Sequence, residues 1–121
     1  MGSGFFCHFK NDFNPKYCLF TNNHVLNISN LKIGQIININ FLKKNIIIEK
    51  LIKITEKRKV FTSDELDYTC IELFESDEID NFLEIDPNIN NYTDKLLLNN
   101  NIYKLHFFEN EISFSYGKIK V

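Results

Sequence analysis

The chain has 121 residues, 44% of them hydrophobic and 25% charged, enough for one small domain with a single core and unlike a disordered or fibrous chain. Its formal net charge is −2 and both signs are scattered along the chain, which excludes the concentrated basic face that nucleic-acid binding requires. Polar residues interrupt the apolar runs too soon for a membrane span, and no basic segment followed by an apolar stretch stands near Met1. The sequence therefore predicts a soluble, cytoplasmic chain.

In chain order, GFFCHF at residues 4–9 and KYCLFT at 16–21 read as two strands, with Asn-Asp-Phe-Asn-Pro at 11–15 supplying the turn between them. Residues 35–41 (QIININF) alternate with period two, as a strand with one buried face does. Lys43, Lys44 and Asn45 form a turn into NIIIEKLIKI at 45–54. That segment fits a helical as well as a strand period, and its three consecutive isoleucines favour strand. A charged loop at 55–59 (TEKRK) precedes YTCIELF at 68–74, apolar enough for an interior strand. SDEIDNFLEI at 76–85 opens on a Ser/Asp cap signal and acidic residues, which predicts one short helical turn. Pro87 and the Asn-rich residues after it mark a connector, and NIYKLHFF at 101–108 with ISFSYGKIKV at 112–121 reads as a second hairpin. The pattern predicts an all-β fold.

Cys7, Cys18 and Cys70 are odd in number, which fits reduced thiols better than a disulfide framework. Cys7 and Cys18 are placed to face each other across neighbouring strands. Cys7, His8, Cys18 and His24 could be assembled into a zinc set, but their spacing matches no common zinc pattern, so neither a metal nor a cofactor is expected.

Three features stand in fixed order: Gly2-Ser3-Gly4-Phe5 at the first strand, Thr21-Asn22-Asn23-His24-Val25-Leu26 at the end of the next, and Leu66-Asp67-Tyr68-Thr69-Cys70-Ile71-Glu72-Leu73 leading into an apolar strand. Singly, each has a plain structural reading. His24 suits an exposed strand end, and Asp67 is one of several acids in a solvated loop with Asp64 and Glu65. Jointly, the order resembles the front part of the chymotrypsin-like (trypsin-like) serine peptidases, in which a Gly-Ser/Thr-Gly-Phe strand, a histidine after an apolar strand and an aspartate before another follow one another. The resemblance implies that His24 is the general base and Asp67, 43 residues on, the carboxylate that fixes its tautomer and steadies the imidazolium. Asp67 is preferred to Asp64 because it directly precedes the strand, where a buried orienting carboxylate belongs. Gly2 and Gly4 would let the first strand pass close to neighbouring backbone.

The resemblance extends to Leu105-His106-Phe107 and Ser115-Tyr116-Gly117, similar to the opening hairpin of the family's second barrel. It implies a six-stranded N-terminal β-barrel over 1–86, a linker over 87–101 and the start of a second barrel over 102–121. The family's nucleophile motif does not occur in the sequence. Ser113 and Ser115 lie in an alternating strand pattern, His106 lies outside the expected triad and Cys70 reads as core. Two functions stay open. One is peptide-bond hydrolysis by a longer parent with a Ser, or a Cys, supplied by further sequence. The other is a catalytically inactive β-barrel that binds a peptide or protein by strand addition. Either makes a polypeptide the substrate or ligand. An exposed terminal hairpin would favour self-association.

Overall fold

The structure is a computed structural model that describes residues 2–10, 14–88, 91, 98, 100–108 and 111–118. The chain divides into two units, Met1–Ile85 and Asp86–Val121. The tip of the first predicted hairpin and most of the predicted linker lie outside the described residues.

The protein is all-β. In the first unit, β1 (Gly4–Phe9), β2 (Tyr17–Thr21), β3 (Ile36–Lys43), β4 (Ile46–Lys53), β5 (Val60–Ser63), β6 (Tyr68–Glu72) and β7 (Leu83–Ile85) are joined by loops with two 3₁₀ turns, Ile28–Asn30 and Glu75–Asp77. Five strands form one sheet in the order β5-β6-β2-β1-β7, antiparallel except where β7 runs parallel to β1. β3 and β4 pair as a separate antiparallel ribbon. The isoleucine run that fits two periods is therefore strand, because pairing with β3 sends alternate residues to opposite faces. Lys44 and Asn45 close the ribbon with φ of 50° and 63°, the two left-handed residues that a tight two-residue hairpin turn demands. Asparagine suits that position; lysine is carried there by the pairing on either side.

Strand alternation divides the sheet's side chains between two cores. On one face Leu19 and Ile71 meet Ile37 and Ile52 of the ribbon, with Leu31, Ile54 and Leu73 completing the cluster. The ring of Phe6 meets Phe41 edge-on at 5.3 Å, so the ribbon packs on the sheet through aromatic as well as aliphatic contact. On the other face Cys7, Cys18 and Cys70 are buried together against Phe9, Phe20, Tyr68 and Ile85. Cys7 and Cys18 are direct cross-strand partners, and all three thiols are free.

Among the described residues the backbone ladders form open sheets, with β5 and β7 at the two ends of the larger one. The 76–85 segment differs from its sequence reading. Its 3₁₀ turn starts upstream at Glu75, with Asp77 Oδ2 accepting from the Phe74 N–H at 2.7 Å, and its end becomes strand β7. Parallel pairing with β1 supplies hydrogen bonds that the local sequence does not announce.

The charged 55–59 loop is also more ordered than its composition suggests. Arg58 lies inside, its side chain 7% exposed, and forks onto Asp77 at 2.7 and 3.0 Å. It also donates to the carbonyls of Lys53 and Glu72 and lies 4.5 Å from the Phe74 ring centroid.

In the second unit β8 (Asn101–Phe108) and β9 (Glu111–Lys118) pair antiparallel from Asn101↔Lys118 to Phe108↔Glu111. Ile102, Tyr103, Leu105 and Tyr116 are exposed. Among the described residues no helix is long and apolar enough to cross a membrane.

Candidate functional site

β2 pairs with β6 in the register Thr21↔Thr69, so the C-terminal end of one strand and the N-terminal end of the other share a rim of the sheet. Beyond Thr21 the carbonyl of Asn22 accepts the N–H groups of both Val25 and Leu26 at 3.1 Å, wrapping residues 22–26 into a tight turn. His24 stands in that turn. On the other side β5 and β6 are joined through Asp64–Asp67, where the Asp67 N–H bonds the Asp64 carbonyl at 3.2 Å and Leu66 N–H bonds Ser63 Oγ at 3.1 Å. Asp67 closes the turn with φ +50°, a left-handed conformation that aspartate tolerates better than most side chains.

The two turns meet through Asp67. His24 Nδ1 lies 2.8 Å from Oδ2 and 3.0 Å from Oδ1, and the His24 backbone N–H donates to Oδ1 at 3.0 Å. Asn22 Nδ2 donates to the Asp67 carbonyl at 3.0 Å and to Oδ2 at 3.3 Å. A carboxylate only accepts, so in the neutral ring Nδ1 carries the proton and Nε2 is left with its lone pair. The His24 backbone N–H is the main cause holding the Asp67 carboxyl below its usual range, aided by the His24 ring and the Asn23 backbone N–H and opposed by burial. The carboxylate stays ionised, and the imidazole keeps one nitrogen free to take a proton.

The structure thus places Asp67, rather than Asp64, against His24. One part of the sequence reading is corrected: the carboxylate is not buried, its side chain being 45% exposed beside a His24 side chain that is 71% exposed. A turn residue at the rim of a sheet is surrounded by polar groups of the facing turn instead of core side chains. Of the two glycines, Gly4 passes a backbone as expected, since a Cβ there would come within 2.5 Å of the Phe20 carbonyl oxygen. At Gly2 the obstacle is the Val25 side chain, 2.3 Å from such a Cβ. Gly2, Ser3, Asn22, His24 and Val25 line an open cleft of about 290 Å³ beside the imidazole.

A polar relay beneath the histidine turn was not legible in the sequence. Thr69, fully buried, donates to the Leu26 carbonyl at 2.7 Å. Its proton is thereby used, so the one Thr62 hydroxyl proton is shared between Thr69 Oγ1 at 2.9 Å and the Tyr68 carbonyl at 3.3 Å, the shorter contact being the threonine pair. Thr62 Oγ1 in turn accepts from Asn23 Nδ2 at 2.6 Å. The chain of bonds runs one way, from Asn23 through Thr62 and Thr69 to Leu26, and grips the histidine turn on both sides of His24. The only hint in the sequence is a pair of asparagines before the histidine; the threonines are ordinary strand residues until the β5–β6 and β2–β6 registers align them.

The remaining candidates separate. Cys7, His8, Cys18 and His24 do not converge: the two cysteines are core, His8 stacks on Tyr17 with centroids 4.6 Å apart, and His24 is bound to Asp67. Among the described residues no group of three or more His, Cys, Asp and Glu side chains is arranged to hold a metal ion. Hydrogen bonding to Cys18 and burial push the Cys7 and Cys70 thiols well above the ordinary thiol range, and Cys18 itself donates to the Pro15 carbonyl at 3.7 Å. Ser115 is exposed opposite Lys104 in β9, and Ser113 is the register partner of His106 in the same hairpin.

No family model matches the chain, and neither a curated protein nor a solved structure matches it.

Proposed function

We propose that His24 and Asp67 are the general base and its orienting carboxylate in a trypsin-like endopeptidase, with the nucleophile supplied by polypeptide outside these 121 residues. The observation that carries this reading is the contact of the His24 ring Nδ1 with Asp67 at 2.8 Å, reinforced by the His24 backbone N–H on the same carboxylate. The contact joins two segments 43 residues apart, and a carboxylate on Nδ1 is what a general-base histidine would require. The neighbouring open cleft, with Gly2 and Ser3 on its wall, lies beside the imidazole, where this reading puts the substrate. In this reading the first unit belongs to the N-terminal barrel of such an enzyme, and β8–β9 opens the second. A serine beside Nε2 would give its proton to that nitrogen as it attacks the scissile carbonyl. Asp67 would hold the ring and stabilise the imidazolium so formed.

A fluorophosphonate probe, which labels an activated serine, tests this on the longer polypeptide. Labelling and peptide hydrolysis are expected in the native protein, with His24→Ala reducing the hydrolysis rate by about 10⁴-fold or more. Full hydrolysis in His24→Ala would sink the proposal.

A second reading draws on the open sheet. β5 and β7 end the five-stranded sheet, so an extended peptide could add to an edge of a catalytically inactive scaffold. Under that reading His24→Ala leaves ligand affinity unchanged, and no probe labels the native protein.

A further inference from the structure

Where an orienting carboxylate is buried, apolar walls limit its rotation. Asp67 lacks such walls. Its side chain is 45% exposed and follows a left-handed backbone, and a half-exposed carboxylate on a turn has rotamers that would swing it away from Nδ1. Three residues of the histidine turn face its oxygens: His24, through its ring and backbone N–H, Asn23 through its backbone N–H, and Asn22 through its side-chain amide. The ring contact cannot fix the geometry, because the ring is the group to be oriented, and the His24 backbone N–H holds Oδ1 and leaves Oδ2, the oxygen nearest Nδ1, without a main-chain restraint from that residue.

The Asn22 amide comes from a different direction. Nδ2 bridges the Asp67 carbonyl at 3.0 Å and Oδ2 at 3.3 Å, so one donor spans backbone and side chain of the same residue. That bridge ties the carboxylate's rotation to its own main chain. Oδ2 is also the oxygen nearest Nδ1, at 2.8 Å. Asn22 is in turn anchored through its carbonyl, which holds the Val25 and Leu26 N–H groups, so its side chain projects from the fixed end of the turn that carries His24. We infer that Asn22 is a positioning residue for the His24–Asp67 pair, its amide replacing burial as the restraint that keeps the carboxylate on Nδ1. This role rests on the proposed function of His24 as base.

The bridge needs a donor at Asn22 Nδ2, and the backbone of the turn does not. Asn22→Ala and the isosteric Asn22→Asp therefore keep the carbonyl that folds residues 22–26 while removing the donor. The Asp variant also sets a second carboxylate against Asp67. On the 121-residue chain, ¹⁵N NMR of the imidazole reads which ring nitrogen carries the proton, and the Nδ1–H resonance reads its exchange with water. In the native chain the Nδ1–H form is expected with a slowly exchanging proton. Both variants should show faster exchange and a mixture of tautomers, and in Asn22→Asp the Asp67 carboxyl should titrate higher than in the native chain. Asn22→Gln, which retains an amide on a longer arm, should recover part of the native signal. Thermal unfolding of Asn22→Asp controls for general loosening.

In the longer enzyme the same variants should lower kcat on the order of tenfold or more with KM unchanged. An unaltered tautomer and exchange rate in both variants overturns the inference, as does a change matched by equal loss of the whole folded spectrum. The NMR readout needs no nucleophile, so it can succeed where hydrolysis fails. In that outcome Asn22 positions the pair and the peptidase reading falls alone.

Discussion

Two pairs in the first unit, Arg58 with Asp77 and His24 with Asp67, are built on opposite plans. Arg58 and Asp77 are sealed from water, 7% and 9% exposed, and their polar atoms are distributed over the carboxylate fork, the Lys53 and Glu72 carbonyls and the Phe74 N–H. His24 and Asp67 stand 71% and 45% exposed, with Asp67 held by donors of Asn22, Asn23 and His24, and His24 Nε2 without a hydrogen-bond partner among the described residues. The first arrangement uses its hydrogen-bonding capacity to close a loop onto a 3₁₀ turn. The second leaves capacity unspent. That contrast separates a structural staple from a group suited to chemistry, and in both places burial runs against the sequence reading: the charged TEKRK loop hides a buried arginine, whereas the Asp67 carboxylate expected to be buried is half-exposed.

The contrast can be broken most sharply at the staple. Arg58→Ala or Asp77→Ala leaves a buried charge without its partner and should cost about 3–5 kcal/mol in urea unfolding. Joint replacement by Arg58→Met and Asp77→Leu should cost much less than either, since no charge then remains inside. Equal losses in single and double variants would show that the loop is held by something other than the pair.

A smaller effect is expected from the relay beneath the histidine turn. Thr69→Val preserves shape but removes the donor to Leu26 and the acceptor for Thr62, and should cost about 1–3 kcal/mol by the same measurement. If the relay positions the site as well as stabilising it, His24 amide exchange should accelerate more than that of β3 or β4.

The smallest effect belongs to the exposed pair itself. Asp67→Asn keeps a residue that tolerates the left-handed turn but cannot ionise. Because the folded carboxyl titrates below its unfolded value, its contribution is present above about pH 3.9 and is lost as pH falls through the lowered folded value. The native unfolding midpoint should therefore fall relative to Asp67→Asn on acidification through that window, by a small amount for so exposed a group. A constant difference between the two proteins across acid pH would show that the charge of Asp67 contributes nothing to folding.

Much of this molecule is written locally. The alternation of QIININF and the hairpin of residues 101–118 follow from period-two patterning and turn chemistry, which neighbouring residues decide, whereas the isoleucine run of Ile46–Ile48 needed its pairing with β3 to settle between two periods. Likewise His24 at a strand end and Asp67 before a strand could be named from their positions in the sequence. Their contact could not, since it depends on the Thr21↔Thr69 register between β2 and β6, a pairing between distant segments. Other long-range contacts align Thr62 with Thr69 across β5 and β6, give β7 its place beside β1, and bring Arg58 inside onto Asp77. Local chemistry determined most of the strands, though not β5 or β7, and which residues could act. Only tertiary pairing decided which of them touch, because hydrogen-bond partners and solvent exposure belong to the assembled sheet and to no single segment of the chain.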